Sequence, residues 1–169
     1  NTTGLDILTF IGGDLIIGHH EPGNTNTYNH SLNTLSGFNN LTYIGGDLEI
    51  MKNATLASIS GFISLNDIDG TINIFANDSL ESISGFNSLP SISGNLWIDD
   101  NHALLDISGF SSLSSINEEF VLEDNFSLIS IESLENLLSV GGNFEIDACK
   151  SLISLAGLEN LNSIGGYLW

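Results

Sequence analysis

Carboxylates that recur at one constant interval are the groups in this chain whose spacing most directly indicates chemistry. They form one series at Asp99, Glu123 and Asp147 and a second at Asp100 and Asp124. If residues at this interval lie side by side at about 5 Å, two carboxylates repel by about 1 kcal/mol in water and by several times more near a surface of low dielectric. Calcium binds several oxygen ligands and would relieve this repulsion. Because the sequence has no EF-hand loop, a calcium site and a solvated acidic face that serves solubility both stay open.

Trp97 and Phe75 indicate a second kind of chemistry, the stacking of an aromatic ring against a sugar or a peptide. Both residues alternate with aliphatic residues along the chain, as does Glu49, which belongs to the same periodic series as Trp97. Such alternation predicts that all three point outward from a strand. An exposed aromatic face beside polar groups favours binding of a carbohydrate or protein ligand. Aromatic residues also favour strand faces for their own sake, so packing against a neighbouring domain is the alternative.

Three imidazoles lie in or beside an insertion at residues 18–29, which makes the first repeat of the chain longer than the later ones. They belong to His19, His20 and His30. Loops that project from a regular scaffold often carry recognition, and three imidazoles can bind zinc. Their spacing alone does not distinguish a ligand or metal site from a mobile polar loop.

A repeat of about 24 residues positions all these side chains. Its blocks begin at Ile44, Ile68, Ile92, Ile116 and Val140. Each block opens with a short alternation of apolar and polar residues, such as Leu48 and Ile50 between Asp47, Glu49 and Met51, which predicts a half-buried strand. Because the blocks are equal in length, each apolar position stacks on its counterpart in the next block. We therefore predict one domain over residues 1–169, an all-β parallel solenoid of about six turns spaced about 4.8 Å apart.

Polar residues also recur in the predicted core. The column Asn53, Asn77, Asn101 and Asn125 predicts a ladder of hydrogen-bonded amides at a tight corner. Cys149 takes the same place in the last block and is expected to be a small core residue rather than a reactive thiol. Glycine pairs at the block starts indicate a turn with positive φ or close backbone approach. Asn117, Glu118 and Glu119 replace that turn in one block, so the turn there is either degenerate or specialised.

A glycine pair with Asp or Asn, an alternating Leu-x-Ile and a later Leu-x-Ser-Ile-x-Gly-Phe recur through most blocks, and the ending of the motif is clearest from Leu152 to Gly166. This combination resembles the receptor L-domain family, which includes the ligand-binding lobes of the insulin and epidermal growth factor receptors and arrays in microbial and fungal surface proteins. The resemblance implies a right-handed solenoid and an extracellular or cell-surface position. The receptor domains have disulfide-linked ends, whereas this chain has one cysteine, so the microbial surface array is the closer comparison.

Charge and hydropathy exclude several functions. With 21 acidic residues against two lysines, the net charge is -19, which repels nucleic acid and anionic lipid headgroups. No apolar run approaches the roughly 18 residues needed to cross a bilayer. No nucleophile with a matched base is evident, and enzymes that act on sugar acids use basic residues, of which this chain has only Lys52 and Lys150, so we predict no catalysis.

Glycosylation triplets outside the asparagine column begin at Asn1, Asn29 and Asn40, and these three are the candidate sites if the chain enters a glycosylating route. Taken together, these features predict a non-catalytic recognition or adhesion module of a microbial surface protein, forming a segment of a longer chain, with no cofactor beyond a possible calcium ion. The alternative is a structural spacer or assembly unit that contacts neighbouring domains of the same chain.

Overall fold

The computed structural model describes residues 4–18 and 29–169, and it is a β-solenoid of about five turns with a repeat of about 24 residues. Its strands are β1 (Phe10–Ile11), β2 (Leu15–Gly18), β3 (Thr34–Leu35), β4 (Tyr43–Ile44), β5 (Leu48–Met51), β6 (Ser58–Ile59), β7 (Asp67–Ile68), β8 (Ile72–Phe75), β9 (Ser82–Ile83), β10 (Ser91–Ile92), β11 (Leu96–Asp99), β12 (Ser115–Ile116), β13 (Phe120–Glu123), β14 (Ser139–Val140), β15 (Phe144–Asp147) and β16 (Ser163–Ile164). The predicted all-β parallel solenoid is confirmed, with about five turns where the sequence predicted about six.

The widest side of the coil is a six-stranded parallel sheet in the order β2-β5-β8-β11-β13-β15. From β5 onward its register is offset by one repeat between neighbouring strands, so that Leu48 pairs with Ile72 and Leu96 with Phe120. In β5, β8, β11 and β13 the inward side chains are fully buried, and the residues that alternate with them, apart from Met51, are partly or fully exposed. The period-two pattern of the sequence therefore places one apolar row in the core and one variable row on the surface.

The other sides of the coil are formed by two-residue strands in sheets β1-β4-β7, β10-β12-β14-β16 and β3-β6-β9. The β3-β6-β9 side ends at a single bridge to Asp106, and 3-10 helices at Ser108–Phe110 and Glu132–Leu134 follow in later turns. The side-chain oxygen of Asp106 accepts the N–H of Ser108 at 3.0 Å, and Ser130 does the same for Glu132 at 3.1 Å. These local bonds compete with strand pairing and bend the chain into a tighter turn that the sequence pattern did not predict.

The core is a narrow column of stacked side chains. Phe38, Phe62, Phe86 and Phe110 form a continuous stack whose ring centroids are 4.9, 5.2 and 5.1 Å apart. Phe120 and Phe144 stack in another file at 4.7 Å. Because each ring contacts the ring of the next turn, aromatic packing and strand pairing require the same register.

A buried amide ladder lies at one corner of the coil. The side-chain nitrogen of Asn53 donates to the amide oxygen of Asn77 at 3.0 Å, and Asn77 donates to Asn101 at 3.2 Å. The chain of amides begins at Asn29, which donates to Asn53 at 2.8 Å. Asn125 occupies the same column, but its side-chain nitrogen donates to the carbonyl of Ile98 and its amide oxygen has no partner in the described structure. The predicted ladder is thus present, but its amide-to-amide bonds run from Asn29 to Asn101 rather than from Asn53 to Asn125.

The residue before each column position has a left-handed backbone. Lys52, Ala76, Asp100, Asp124 and Ala148 have φ between 50° and 58°. The column asparagine donates across this residue to the carbonyl two positions back, for example from Asn77 to Phe75 at 3.2 Å and from Asn101 to Asp99 at 2.9 Å. A left-handed non-glycine residue costs about 1–2 kcal/mol, and this bond offsets that cost in the turns of Asn53, Asn77 and Asn101.

A second polar ladder lies at the opposite end of the wide strands, and the sequence analysis did not identify it. Asp47 accepts the N–H of Thr71 at 2.8 Å, Thr71 accepts that of Asn95 at 3.2 Å, and Asn95 accepts that of Glu119 at 2.9 Å. Glu119 then accepts the side-chain nitrogen of Asn143 at 2.7 Å. The turn at residues 117–119 therefore keeps its place in the ladder and is specialised rather than degenerate.

The glycine pairs at the block starts are required by close backbone approach. A Cβ on Gly141 would lie 2.0 Å from the carbonyl oxygen of Asn117, which no side chain tolerates. Positive φ occurs at Gly18 and Gly157 among the described glycines, not at the pairs. Of the two reasons that the sequence left open, close approach is the correct one.

Asn77→Ala is expected to destabilise the fold by about 3 kcal/mol, because it removes the acceptor of two Asn53 donors and the side-chain donor that contacts the buried carbonyl of Ile50. Urea unfolding measures this as a lower midpoint at unchanged slope. Asn66→Ala, at an exposed asparagine, is the matched control and should change stability by less than about 0.5 kcal/mol. Equal midpoints for the two variants would contradict a structural role for the ladder.

Candidate functional site

The outer face of the wide sheet holds a hollow of about 390 Å³ across four strands, called here the Trp97 hollow. It is lined by Asn73, Phe75, Trp97, Asp99, Glu119, Val121, Glu123 and Glu145. The hollow unites the aromatic and the carboxylate candidates of the sequence analysis, which were considered there as separate sites. The aromatic and the carboxylate candidates both face outward from β8, β11, β13 and β15. Because neighbouring strands pair with an offset of one repeat, these outward residues lie side by side on the sheet.

Trp97 is the aromatic group of the hollow that is presented to solvent. It lies between the fully buried Leu96 and Ile98 and is 36 % exposed, as its position in the alternating pattern predicts. Phe75 was also expected to be exposed, but it is half-buried between Met51 and Asp99 of the neighbouring strands. A flat indole with one open face can stack on a planar or ring-shaped ligand group.

The carboxylates beside Trp97 repel one another. Burial, reinforced by the charges of Glu123, Asp100 and Asp124, raises the pKa of Asp99 to about 6. The pKa of Glu123 is raised too, first by burial and then by Glu145, Asp124 and Asp147. Stacking similar turns brings like charges into rows, and these charges add to the effect of burial on both pKa values.

The calcium candidates lie where the sequence predicted them, in adjacent rows. Asp99, Glu123 and Asp147 pair in register. Asp100 is already engaged, since its Oδ1 lies 2.8 Å from Nε2 of His102, and Asp147 accepts the N–H of Ala148 at 2.8 Å. Within residues 4–18 and 29–169, no three His, Cys, Asp or Glu side chains are arranged to hold a metal ion. Calcium binding stays a prediction, and equal melting midpoints with added calcium and with chelator would remove it.

His102 belongs to a surface column that the sequence analysis missed. Its ring stacks on Phe126 with centroids 4.5 Å apart, Nδ1 lies 3.8 Å from Asp78, and Lys150 Nζ lies 3.9 Å from the centre of the Phe126 ring. These residues follow the asparagine column by one position, so the period of the repeat could have revealed them. The column joins four turns through ion-pair, stacking and cation–π contacts.

The remaining ligand candidates do not join the Trp97 hollow. Glu49 pairs with Ile16 and Asn73 and is partly buried. Its neighbour Met51, expected to face outward, is 4 % exposed. His30 is exposed and lines a separate hollow of about 480 Å³ with Asn29, Ser31 and Leu32. His19 and His20, like most of the predicted insertion at residues 18–29, lie outside the described residues.

The glycosylation candidates differ in what their amides contact. The side-chain nitrogen of Asn29, the atom to which a glycan would attach, donates to Asn53 and begins the amide ladder. That of Asn40 is at the surface and donates to the backbone carbonyl of Asp6. Asn1 lies outside the described residues. Modification at Asn29 would therefore compete with a partly buried structural contact, whereas Asn40 would give up a contact at the surface.

Cys149 ends the asparagine column, as the sequence predicted, and is partly buried. Its Sγ lies 3.7 Å from the carbonyl of Leu122, the contact that an amide makes in earlier turns. Burial raises the pKa of the thiol. A thiol that stays protonated is a weak nucleophile, which favours the structural interpretation.

The arrangement around Trp97 suits binding better than bond cleavage. Asp99 and Glu123 form a pair of carboxylates with raised pKa values, which is one requirement of a glycosidase. The pair lies on an open face of the sheet among further carboxylates, where water reaches both groups. Separately, the described part of the chain includes no helix with the length and hydrophobicity to span a bilayer.

Comparison with known proteins gave no match to any protein-family model, to any curated protein or to any solved structure. The resemblance to the receptor L-domain family, and the location that it implies, therefore remain predictions.

Asp99→Asn is expected to stabilise the fold near pH 7.5 and to have no effect near pH 4. Because folding raises this pKa, the wild-type protein loses stability as the pH rises from about 4, the unfolded value, through about 6. The side chain is partly exposed, so solvent screening reduces the gain in the free energy of unfolding to about 1 kcal/mol.

Thermal unfolding across this pH range measures the difference. Glu135→Gln removes the same charge at an exposed position and should keep the wild-type dependence on pH. If the Asp99→Asn and wild-type curves ran parallel from pH 4 to pH 7.5, the assigned pKa would be wrong.

Proposed function

We propose that this chain is a non-catalytic recognition or adhesion module of an extracellular microbial surface protein, and that the Trp97 hollow is its binding surface. The exposed indole of Trp97 in that hollow is the single observation that carries the proposal. Tryptophan is enriched among residues that dominate binding energy, because a large rigid ring buries much area at little entropic cost.

The scaffold supports this function by holding the site rigid. β8, β11 and β13, which carry Trp97 and its neighbours, pair on both sides, and the side chains beneath the indole are fully buried. A surface that is already ordered loses little conformational entropy when a ligand binds. The microbial surface location is supported by the sequence resemblance alone.

The second candidate is a structural spacer or assembly unit that contacts neighbouring domains. It is favoured by the apolar side chains exposed in the last turn, where Leu155 and Leu168 line a hollow of about 550 Å³. A spacer needs no ligand on the wide sheet, so the two functions differ in whether Trp97 contributes to binding.

We expect Trp97→Ala to lower the affinity for the carbohydrate or peptide that an array identifies at least tenfold. An aromatic side chain that becomes buried on binding contributes more than about 1.4 kcal/mol to the binding free energy. Leu105→Ala removes an exposed apolar side chain from another side of the coil and is the matched control. Phe75→Ala, at the half-buried neighbour, should weaken binding less. An array without any binder, or equal binding by all variants, would favour the spacer.

A further inference from the structure

This inference rests on the proposed function and specifies the ligand of the same surface. We infer that the Trp97 hollow binds an arginine-bearing segment of a protein partner, with one guanidinium stacked on the indole and paired with carboxylates of the adjacent turns.

Charge is the first reason. Asp99, Glu119, Glu123 and Glu145 line the hollow, and neither lysine of the chain lies among them. Lys150 is placed over Phe126 at a different corner. The hollow therefore contains several negative groups and no positive group, so a cationic ligand supplies the missing charge.

The aromatic group is the second and independent reason. A cation over an indole face is attracted by the ring quadrupole, and tryptophan gives the strongest such contact. Arginine suits this site better than lysine, because its planar guanidinium stacks on a ring while its N–H groups bind carboxylates in pairs. A neutral sugar would also stack on Trp97, but it would leave the repulsion between Asp99 and Glu123 unrelieved.

Spacing favours a peptide over a single small cation. Trp97 pairs with Val121, and Val121 with Glu145, so the indole and the Glu145 carboxylate belong to one row two turns apart, or about 10 Å. Side chains that face the same way on an extended peptide repeat about every 7 Å. Because arginine side chains are long and flexible, two of them at positions i and i+2 can reach the Trp97 and Glu145 ends of the hollow together.

The test uses an end-blocked peptide, Arg-Ser-Arg-Ser-Arg, and the same peptide with citrulline in place of arginine, which keeps the shape and removes the charge. Isothermal titration with the whole chain measures both. We expect the arginine peptide to bind and the citrulline peptide to bind at least tenfold more weakly. Trp97→Ala should lower the affinity for the arginine peptide about tenfold.

Matched charge variants separate a specific site from general attraction to an acidic protein. Asp99→Asn with Glu123→Gln should lower the affinity about tenfold. Glu135→Gln with Glu132→Gln removes two exposed carboxylates from another side of the coil and should change it less than about twofold. Equal losses in the two double variants would reduce the binding to diffuse attraction and overturn the inference.

The affinity should also depend on pH, because the peptide and the proton compete for the same carboxylates. The groups that face the bound guanidinium are Asp99, Glu119, Glu123 and Glu145, with Asp100, Asp124 and Asp147 beside them. Since the pKa of Asp99 is raised to about 6, wild-type affinity should increase between about pH 5 and pH 7.5. Asp99→Asn should flatten this increase.

Other outcomes distinguish this inference from the proposed function. A neutral carbohydrate whose binding depends on Trp97, with no binding of the arginine peptide, would overturn the inference and leave the recognition function standing. Binding of an oligomer of glucosamine in place of the peptide would show that the hollow takes a cation from a sugar, which overturns the protein partner. No ligand of any kind would overturn both.

Discussion

Register between successive turns is the constraint on which the rest of the structure depends. Each turn donates backbone hydrogen bonds to the next, and in a parallel sheet a shift of one residue would turn every buried side chain outward. The phenylalanine stack, the amide ladder and the second polar ladder all require the same offset of one repeat. Apolar packing gives the stability, and the buried amides make any other offset costly, because it would leave their donors unpaired.

The same constraint generates the candidate site. Because equivalent residues of successive turns lie next to one another, the repeat stacks phenylalanine rings in the core, where their packing is favourable. On the surface it places Asp99, Glu123 and Asp147 in one row, where the neighbouring charges add to the effect of burial and raise the pKa values of Asp99 and Glu123. Trp97 interrupts the outward row of smaller and acidic residues, so an open indole comes to lie beside those carboxylates. The hollow combines an aromatic ring with carboxylates because the outward residues vary from turn to turn, while the residues of the core repeat regularly.

Departures from the repeat show how local chemistry modifies the coil. Asp106 and Ser130 bond to backbone N–H groups two residues ahead, and the third side changes from strands to 3-10 turns. Glu119 replaces a shorter ladder residue and still accepts a bond from Asn143. Cys149 replaces an asparagine where the amide chain has already ended. At Glu119 and Cys149 the backbone path is kept, because pairing with the neighbouring turns determines it, whereas on the third side the path itself becomes tighter.

The sequence by itself determined the repeat length, the parallel strands, the inward rows and the buried asparagine column, because periodicity of side-chain type is a direct consequence of stacking at constant offset. It also determined which residues face out on β11 and β13. Only the tertiary structure decided that Phe75 and Met51 are covered, since this depends on their neighbours across the sheet. It also decided that Asn29 lies beside Asn53 and begins the amide ladder, since the insertion breaks the period of the sequence. The union of Trp97 with Asp99, Glu119 and Glu145 in one hollow was likewise decided in three dimensions, because it depends on the shape between strands and not on the order of residues along any one of them.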